Sequence, residues 1–466
     1  MKGKCSTVLR QDTIAALATP FGLSGVGIIR ISGPEALEIA SLIFHPSNGI
    51  CPWKSHHLYH GDIVSADSKT ILDEVLISYM RKPHSFTGED VIEINCHGNP
   101  IIIQSILSQL QELGCRLARH GEFSQRAFFN NRLDLSQAEA LSAMICAKSA
   151  KAYAMGLSQL KGSLSKEIED LRLLLIDALA LLEAAIDFTE DTSGEIITGT
   201  HPQINQALER MQSLLSSYSS ARAYAEGVNV IITGKPNVGK SSLLNSLTGR
   251  KKAIVTDIPG TTRDLITDTI NINGVPVHLI DTAGIREPQN AIEKEGISLV
   301  WESLANADVV IVMLDISKPL TDEDKIIIDK NKSGNIIVAI NKIDLPRKWE
   351  ENIIKELFSQ ETKILKISAK LGNGLEELKN TITDLSVSSE DVNAGSVMIT
   401  NLRHKQAIEK AFKNIQNAKE SIAHGMSAEF AAFDLREALD SLDEITGKKI
   451  NDEILDKIFS SFCIGK

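Results

Sequence analysis

One octapeptide in this chain of 466 residues has the residue types and spacing to hold a triphosphate: Gly234-Lys235-Pro236-Asn237-Val238-Gly239-Lys240-Ser241, which fits G-x-x-x-x-G-K-[ST]. Its glycines let backbone N–H groups curl around phosphate oxygens, its lysine reaches the β and γ phosphates, and its serine hydroxyl can ligate Mg2+. The apolar run VNVIITG precedes it and SSLLNSL follows it, so strand, loop and helix N-terminus come in the order that anion binding needs. Three further elements choose among P-loop enzymes. Asp281-Thr282-Ala283-Gly284 ends the run VHLI, where Asp281 can hold the Mg2+ shell and the Gly284 N–H can face the γ-phosphate. Asn341-Lys342-Ile343-Asp344 ends IIVAI, and the Asp344 carboxylate can accept both guanine N1–H and the exocyclic amine. Adenine has no such donor pair, so Asp344 selects GTP over ATP. Ser368-Ala369-Lys370 follows KILKI and can place the Ala369 N–H near guanine O6. Between the first two elements, Gly260-Thr261-Thr262-Arg263-Asp264 sits where a switch loop belongs, with Thr262 as the second protein ligand to Mg2+ beside Ser241. Ile285 follows Gly284, so the glutamine that Ras-like enzymes use to orient water is missing. An acid among Glu287, Glu293 and Glu295 can take that task, and a bound cation or a partner can replace the arginine finger.

The elements that must position these residues follow from periodicity. Between 227 and 387 apolar β-branched runs alternate with helical patterns, the mark of a doubly wound, mainly parallel sheet. Residues 1–130 mix short β-rich runs, Val26 to Ile31, Val75 to Met80 and Val91 to Cys96, with turn-rich stretches, which indicates an α+β domain. Helical spacing from Leu157 to Ile186 predicts one long apolar stripe, and it resumes after 388 at Ala407, Ile408, Phe412 and Ile415. Helical segments at 131–226 and 388–466 therefore flank an inserted α/β domain at 227–387, giving a multidomain α+β and α/β protein with a discontinuous α-helical domain.

Composition bounds the rest. Hydrophobic residues are 43% and charged residues 23%, an ordinary globular balance, and no apolar run reaches the roughly 18 residues of a membrane-spanning helix. Sixty acidic against 49 basic residues give a net charge of -11, which disfavours unspecific polyanion binding and leaves a nucleic-acid partner to local basic surfaces. Two such stretches exist: Arg116, Arg119, His120, Arg126 and Arg132, and the 401–420 segment with Arg403, Lys405, Lys410, Lys413 and Lys419. Six cysteines without a C-x-x-C pair, and an N-terminus without a signal-peptide core, point to a reduced, cytoplasmic chain. Ser55-His56-His57-Leu58-Tyr59-His60 lacks accompanying ligands at metal spacing and reads as surface histidines.

GKPNVGKSSLLN, DIPGTTRD, DTAGIRE, NKID and SAK, together with FTGEDVIEI, HGEFSQRAF, NNRLDLSQAEA and the terminal FSSFCIGK, closely resemble the MnmE (TrmE) family of tRNA-modification GTPases. The resemblance spans all three segments. It implies an N-terminal tetrahydrofolate-binding and dimerisation domain, a helical domain in two pieces and an inserted GTPase domain. It also implies a cytoplasmic homodimer that forms a heterotetramer with the FAD- and NADH-using protein MnmG (GidA), FAD entering only through that partner. The implied reaction adds an aminomethyl or carboxymethylaminomethyl group to C5 of the wobble uridine of certain tRNAs, with a tetrahydrofolate derivative (5-formyl or 5,10-methylene) as carbon donor. GTP hydrolysis would be stimulated by K+ held by Asn237, Thr256, Ile258 and Thr261, with Mg2+ on Ser241 and Thr262. Nucleotide contacts would come from Asn237, Val238, Gly239, Lys240, Ser241 and Ser242, from Thr256, Asp257, Ile258, Pro259, Gly260, Thr261 and Thr262, and from Asp281, Thr282, Ala283 and Gly284. Asn341, Lys342, Ile343, Asp344, Ser368, Ala369 and Lys370 would complete them. Glu293 matches the acid that orients water, so Glu293, Lys240 and Thr262 are the implied catalytic residues, with Cys463 in the modification chemistry. Folate contacts would be Arg30, Glu93, Arg132 and Lys466, where Arg132 replaces a lysine of some relatives with a planar fork. The rival readings are a regulatory or ribosome-assembly GTPase whose N-terminal segment is only a binding module, discriminated by tetrahydrofolate binding, and a structural dimer scaffold with a silent nucleotide site.

Overall fold

The computed structural model describes residues 12–65, 70–187, 199–249, 267–281, 307–330, 335–350, 352–357, 362–387 and 397–465. Thr256, Asp257, Ile258, Pro259, Gly260, Thr261, Thr262, Thr282, Ala283, Gly284, Glu293 and Lys466 lie outside the described residues, as does the side chain of Asp281. The chain divides into two compact units, one of Met1–Ser142, Ser158–Ile204 and Lys413–Lys466, the other of Ala143–Leu157 and Asn205–Phe412.

The first unit is built on strands β1 (Ile14–Leu17), β2 (Ser24–Ser32), β3 (Phe44–Pro46), β4 (His57–Val64), β5 (Ile71–Met80), β6 (Val91–Gly98) and β7 (Arg116–Leu117), in the order β3-β4-β5-β6-β2-β1-β7. Neighbours are antiparallel except β1 and β7. Side chains alternate across a strand, so the buried Ile29, Ile31, Ile92 and Ile94 share one face. Helices Ala36–Ile43 and Pro100–Glu112 cover that face with Ile39, Ile43, Ile103 and Ile106. Asn99 starts the second helix by accepting the Ile101 N–H at 2.9 Å, ahead of Pro100 at the first helical position. The same alternation sends Arg30 and Glu93, which face each other in register, to the opposite face.

Helix Ser163–Asp187 buries Leu164, Ile168, Leu171, Leu175, Ala178 and Leu182. It packs along helix Ala428–Thr446 through Leu435, Ala438 and Leu442, and Arg172–Asp443 and Arg436–Glu183 pairs tie the two together. The single stripe expected from Leu157 to Ile186 is divided: Leu157 and Leu160 belong to a separate helix, Ala150–Leu160, which stops before Gly162. A three- or four-residue spacing continues across such a break because two short helices and one long one share the same period.

Two of the five basic residues of the stretch at 116–132 are engaged within the protein, while Arg119, His120 and Arg132 are exposed. Arg126 is 3% exposed and donates to Asp12, Glu89 and Glu122, while Arg116 pairs with Asp12 and Glu122. This ion cluster staples the segment before β1, the loop before β6 and helix Glu122–Phe129 to one another. Burial by itself would raise the Glu122 carboxyl, but the Arg116 guanidinium, the Arg119 amide and the Arg126 charge hold it below its ordinary value of 4.5.

The second unit carries β8 (Val228–Thr233), β9 (Thr267–Ile272), β10 (Val275–Asp281), β11 (Val309–Asp315), β12 (Ile336–Asn341) and β13 (Lys363–Lys366), ordered β13-β12-β11-β8-β10-β9. The five strands expected to be parallel are parallel, and β11 and β12 are buried at every position, as strands covered on both faces must be. Strand β9 was not expected. It returns antiparallel on β10 through Asn273-Gly274, the dipeptide that most strongly marks a tight hairpin.

Arg126→Met leaves carboxylates of a buried cluster short of their cation, and the N-terminal sheet should lose about 3–5 kcal/mol. Hydrogen exchange of β1 and β2 amides measures it. In the native chain the contribution of Glu122 is complete above pH 4.5, and because its folded pKa is depressed, it is lost as pH falls below that value. Exchange rates independent of both changes would show that the cluster does not hold the sheet.

Candidate functional site

The phosphate loop leaves the C-terminal end of β8 and closes on helix Lys240–Thr248. Lys240, 7% exposed, donates from Nζ to the carbonyls of Gly234 at 2.6 Å and Lys235 at 2.8 Å, which curls the loop about its own side chain. Gly239 has φ +108, and a Cβ there would lie 2.3 Å from Asn341 Nδ2, so only glycine lets the loop approach this closely. Ser241 and Ser242 are exposed in the first helical turn, where unsatisfied N–H groups and the helix dipole favour an anion.

Asn341, at the last position of β12, is buried at 2% exposure and joins two loops. Its Nδ2 donates to the Val238 carbonyl at 2.7 Å, and its Oδ1 accepts the Ala369 N–H at 3.0 Å. Lys342 adds a second strut, donating to the Asn237 carbonyl at 2.9 Å and to Asp315 Oδ2 at 2.6 Å. Asn237 and Lys342 both hold φ +64, a backbone region that costs non-glycine residues on the order of 1 kcal/mol or more and that persists where surrounding bonds enforce it. Asp315 ends β11 in register with Asn341. Burial raises its pKa, but the Lys342 ammonium and the Ser317 hydroxyl and amide outweigh burial and hold the carboxyl below the usual range. The Trp349 indole N–H donates to the Asp315 carbonyl at 3.0 Å.

Asp344 is exposed at the loop tip and accepts the Ser368 hydroxyl at 2.6 Å. That bond holds its carboxyl below the ordinary range, so it stands ionised as an acceptor for ring N–H donors. Ile343 is half-buried between Lys342 and Asp344, and Lys370 is exposed. The Ala369 amide, expected near guanine O6, is committed here to Asn341 and acts as a strut. Asp315, Trp349 and the bridging amide of Asn341 escaped the sequence reading. The available signal was position, because each lies at or just beyond the C-terminal ends of parallel strands, where open α/β sheets place their ligands.

A second constellation lies on the open face of the N-terminal sheet. Arg30 pairs with Glu93 at 2.7 Å, lies near the rings of Phe86 and Phe123 at 5.5 and 5.7 Å, and donates to the Gly465 carbonyl at 3.2 Å. Gly465 has φ +86, and a Cβ there would lie 2.2 Å from the Leu17 carbonyl oxygen, so the C-terminal segment seats on β1 only with glycine at this position. His120 Nδ1 lies 3.0 Å from the Phe462 carbonyl, and the Gly121 N–H donates to the Cys463 carbonyl at 3.4 Å, which leaves the Cys463 residue exposed. Arg132 is exposed, and its Nε donates to the Ser85 carbonyl at 3.0 Å. Arg30, Glu93 and the segment before Lys466 are thus brought together, and Arg132 is anchored to the loop that supplies Phe86. The histidines at 56–60 are on the surface, His60 pairing with Glu74, and no metal-holding group of three or more His, Cys, Asp or Glu exists among the described residues. No helix among the described residues is long and apolar enough to cross a membrane.

A mainly parallel α/β sheet with a G-x-x-x-x-G-K-[ST] loop at the C-terminal end of β8, and the Asn341-Lys342-Ile343-Asp344 segment at the end of β12, defines a P-loop GTPase. Two family descriptions match the chain: "MnmE helical domain" at residues 135–463 and "GTP-binding protein TrmE N-terminus" at 13–132. The tRNA modification GTPase MnmE of Syntrophus aciditrophicus is 47% identical over 456 residues, covering 98% of this chain and 100% of that protein. The MnmE of Acetivibrio thermocellus is 44% identical over 459 residues, with 98% and 100% covered. Among solved structures, Aquifex aeolicus Era bound to GDP.AlF4- is 34% identical over 40% of this chain and 66% of that one, with a TM-score of 0.29. The chain belongs to the MnmE (TrmE) family of tRNA modification GTPases.

Asn341→Ala removes both hydrogen bonds that join the phosphate loop to the Ser368-Ala369-Lys370 loop. At about 1 kcal/mol each, their loss should weaken GTP binding by roughly 10- to 30-fold in a titration with a fluorescent GTP analogue. Undiminished affinity would show that the bridge does not shape the site.

Proposed function

We propose that this chain is a K+-stimulated, Mg2+-dependent GTPase of the cytoplasm. Together with MnmG (GidA), it adds an aminomethyl or carboxymethylaminomethyl group to C5 of the wobble uridine of tRNA, using a one-carbon tetrahydrofolate donor. The observation that carries this reading is the meeting of Arg30, Glu93 and the C-terminal Cys463-Ile464-Gly465 segment on one face of the N-terminal sheet. A GTPase that only regulated assembly would have no need to seat its C-terminal segment against an arginine–glutamate pair. In the proposed domain scheme, residues 1–130 bind folate and dimerise, 131–226 and 388–466 form the helical domain, and 227–387 hydrolyse GTP.

At the nucleotide site, Lys240 and the loop amides hold phosphate, and Asp344 accepts the donors of guanine. Ser241, exposed in the first helical turn, and Asp281, at the end of β10 beside β8, are hard oxygen donors suited to Mg2+. Thr262 would complete the metal's protein ligands and Glu293 would orient water. Asn237 is exposed within the phosphate loop and offers a side-chain oxygen, the donor type that K+ takes, with Thr256, Ile258 and Thr261 as its proposed companions. A bound K+ would supply positive charge where other GTPases use an arginine finger. At the N-terminal site, Glu93 offers a carboxylate to N–H donors of a pterin ring, Phe86 and Phe123 offer aromatic surface, and Arg132 and Lys466 are cations for the folate carboxylates. Two chains joined through their N-terminal domains, and two copies of MnmG, complete the proposed heterotetramer.

Calorimetry with 5-formyltetrahydrofolate and the full-length chain should show binding, and Arg30→Ala should weaken it at least tenfold while leaving GTP hydrolysis in place. Absence of folate binding by the native chain would favour the regulatory or assembly reading. Hydrolysis should run at least tenfold faster in KCl than in NaCl at equal ionic strength, and Asn237→Ala should abolish the difference. Equal rates in the two salts would remove the K+ mechanism.

A further inference from the structure

The first unit contains a cavity of about 540 Å³ that neither constellation above accounts for, between the segment 128–137 and helices Ser163–Asp187, Ala428–Thr446 and Asp452–Ser460. Its size is in the range that encloses a small organic ligand. One wall is aromatic, with Phe128 and Phe129 tilted at 56° and 5.5 Å apart. The Asn131 amide, a donor and an acceptor on one short side chain, lines it, as do the cations Arg132 and Lys448. Thr446 also lines it, is 7% exposed, and its Oγ1 has no hydrogen-bond partner among the described residues. Arg30 and Glu93 do not line this cavity, but Arg132 does, so the cavity adjoins the proposed folate site.

We propose that this cavity receives a nucleotide unstacked from the RNA substrate. The inference rests on the tRNA reading given above. An enzyme that alters a base atom must take the base out of its stack, and single-stranded bases are held by aromatic faces, by hydrogen bonds to their edges and by cations on the phosphate. Each of these three parts is present: Phe129 offers the ring, the Asn131 amide offers groups for the edge, and Arg132 offers charge, Lys448 being paired with Glu169. Asp134 and Glu169 line the cavity too: Asp134 Oδ1 accepts from the Ser136 hydroxyl and the Gln137 backbone amide, and Glu169 is paired with Arg172 and Lys448. The two cations on Glu169 limit its repulsion of a phosphate.

The test uses the full-length, GTP-loaded chain and a synthetic anticodon stem-loop RNA with 4-thiouridine at the wobble position, irradiated and mapped by mass spectrometry of cross-linked peptides. Cross-links should fall on Phe128–Arg132 or on Thr446–Ile450. Phe129→Ala should weaken stem-loop binding about tenfold, and Phe129→Tyr, which keeps the ring, should restore most of it. Cross-links confined to other segments, or an equal loss in both variants, would overturn the cavity assignment while leaving the tRNA reading intact. Absence of any cross-link would overturn both. A Phe129→Ala chain that binds 5-formyltetrahydrofolate more weakly but the stem-loop normally would assign the cavity to the folate and overturn the inference.

Discussion

The nucleotide half of this protein depends on one amide. Asn341 stands where β12 ends, and with its two ends it holds the phosphate loop through Val238 and the base-side loop through Ala369. The residues joined are more than a hundred positions apart on one side and 28 on the other, so no local propensity could bring them together. The parallel sheet does so by ending β11 and β12 in register at Asp315 and Asn341, with β8 paired alongside β11. Once those ends are fixed, the glycine at 239 is dictated by the approach of Asn341, and the left-handed backbone at Asn237 and Lys342 is stabilised by the bond between them. Lys342 in turn needs Asp315 to remain ionised, which the Lys342 charge and the Ser317 donors ensure.

The N-terminal half uses a different device for the same purpose. On the face of its sheet opposite the two helices, where Phe123 packs against Ile14 and Ala16, the C-terminal segment also seats. That seating follows from close fits: Gly465 against Leu17, Gly121 against the Phe459 carbonyl, and the His120 ring at the Phe462 carbonyl. The Arg116–Arg126 ion cluster fixes the loop and helix on which those fits rest. A sheet, a helix N-terminus and the far end of the chain thereby meet at Arg30, and the proposed donor and acceptor sites can lie side by side with Arg132 common to both.

Much of this was legible in the residues because the relevant physics is local. The phosphate loop, the strand-ending tetrapeptides and the parallel order of β8, β10, β11, β12 and β13 all follow from short runs whose burial and turn chemistry are written in adjacent positions. What escaped depends on contacts remote in sequence. Arg116 and Arg126 read as a basic patch because their acids include Asp12 and Glu89, far away along the chain. Nothing in its own segment reveals that the Ala369 amide donates to Asn341. The long leucine stripe read as one helix because periodicity carries no mark for a break that keeps phase, and Gly162 was the only local sign.

The central claim is that GTP hydrolysis in this chain serves a carbon transfer to tRNA, with the N-terminal cleft and the terminal cysteine segment as its chemical end. Mass spectrometry of tRNA nucleosides from cells lacking the chain tests it most directly. The account predicts loss of aminomethyl and carboxymethylaminomethyl wobble uridines, restored by the native gene. Normal levels of these C5-modified uridines in the absence of the chain would contradict it.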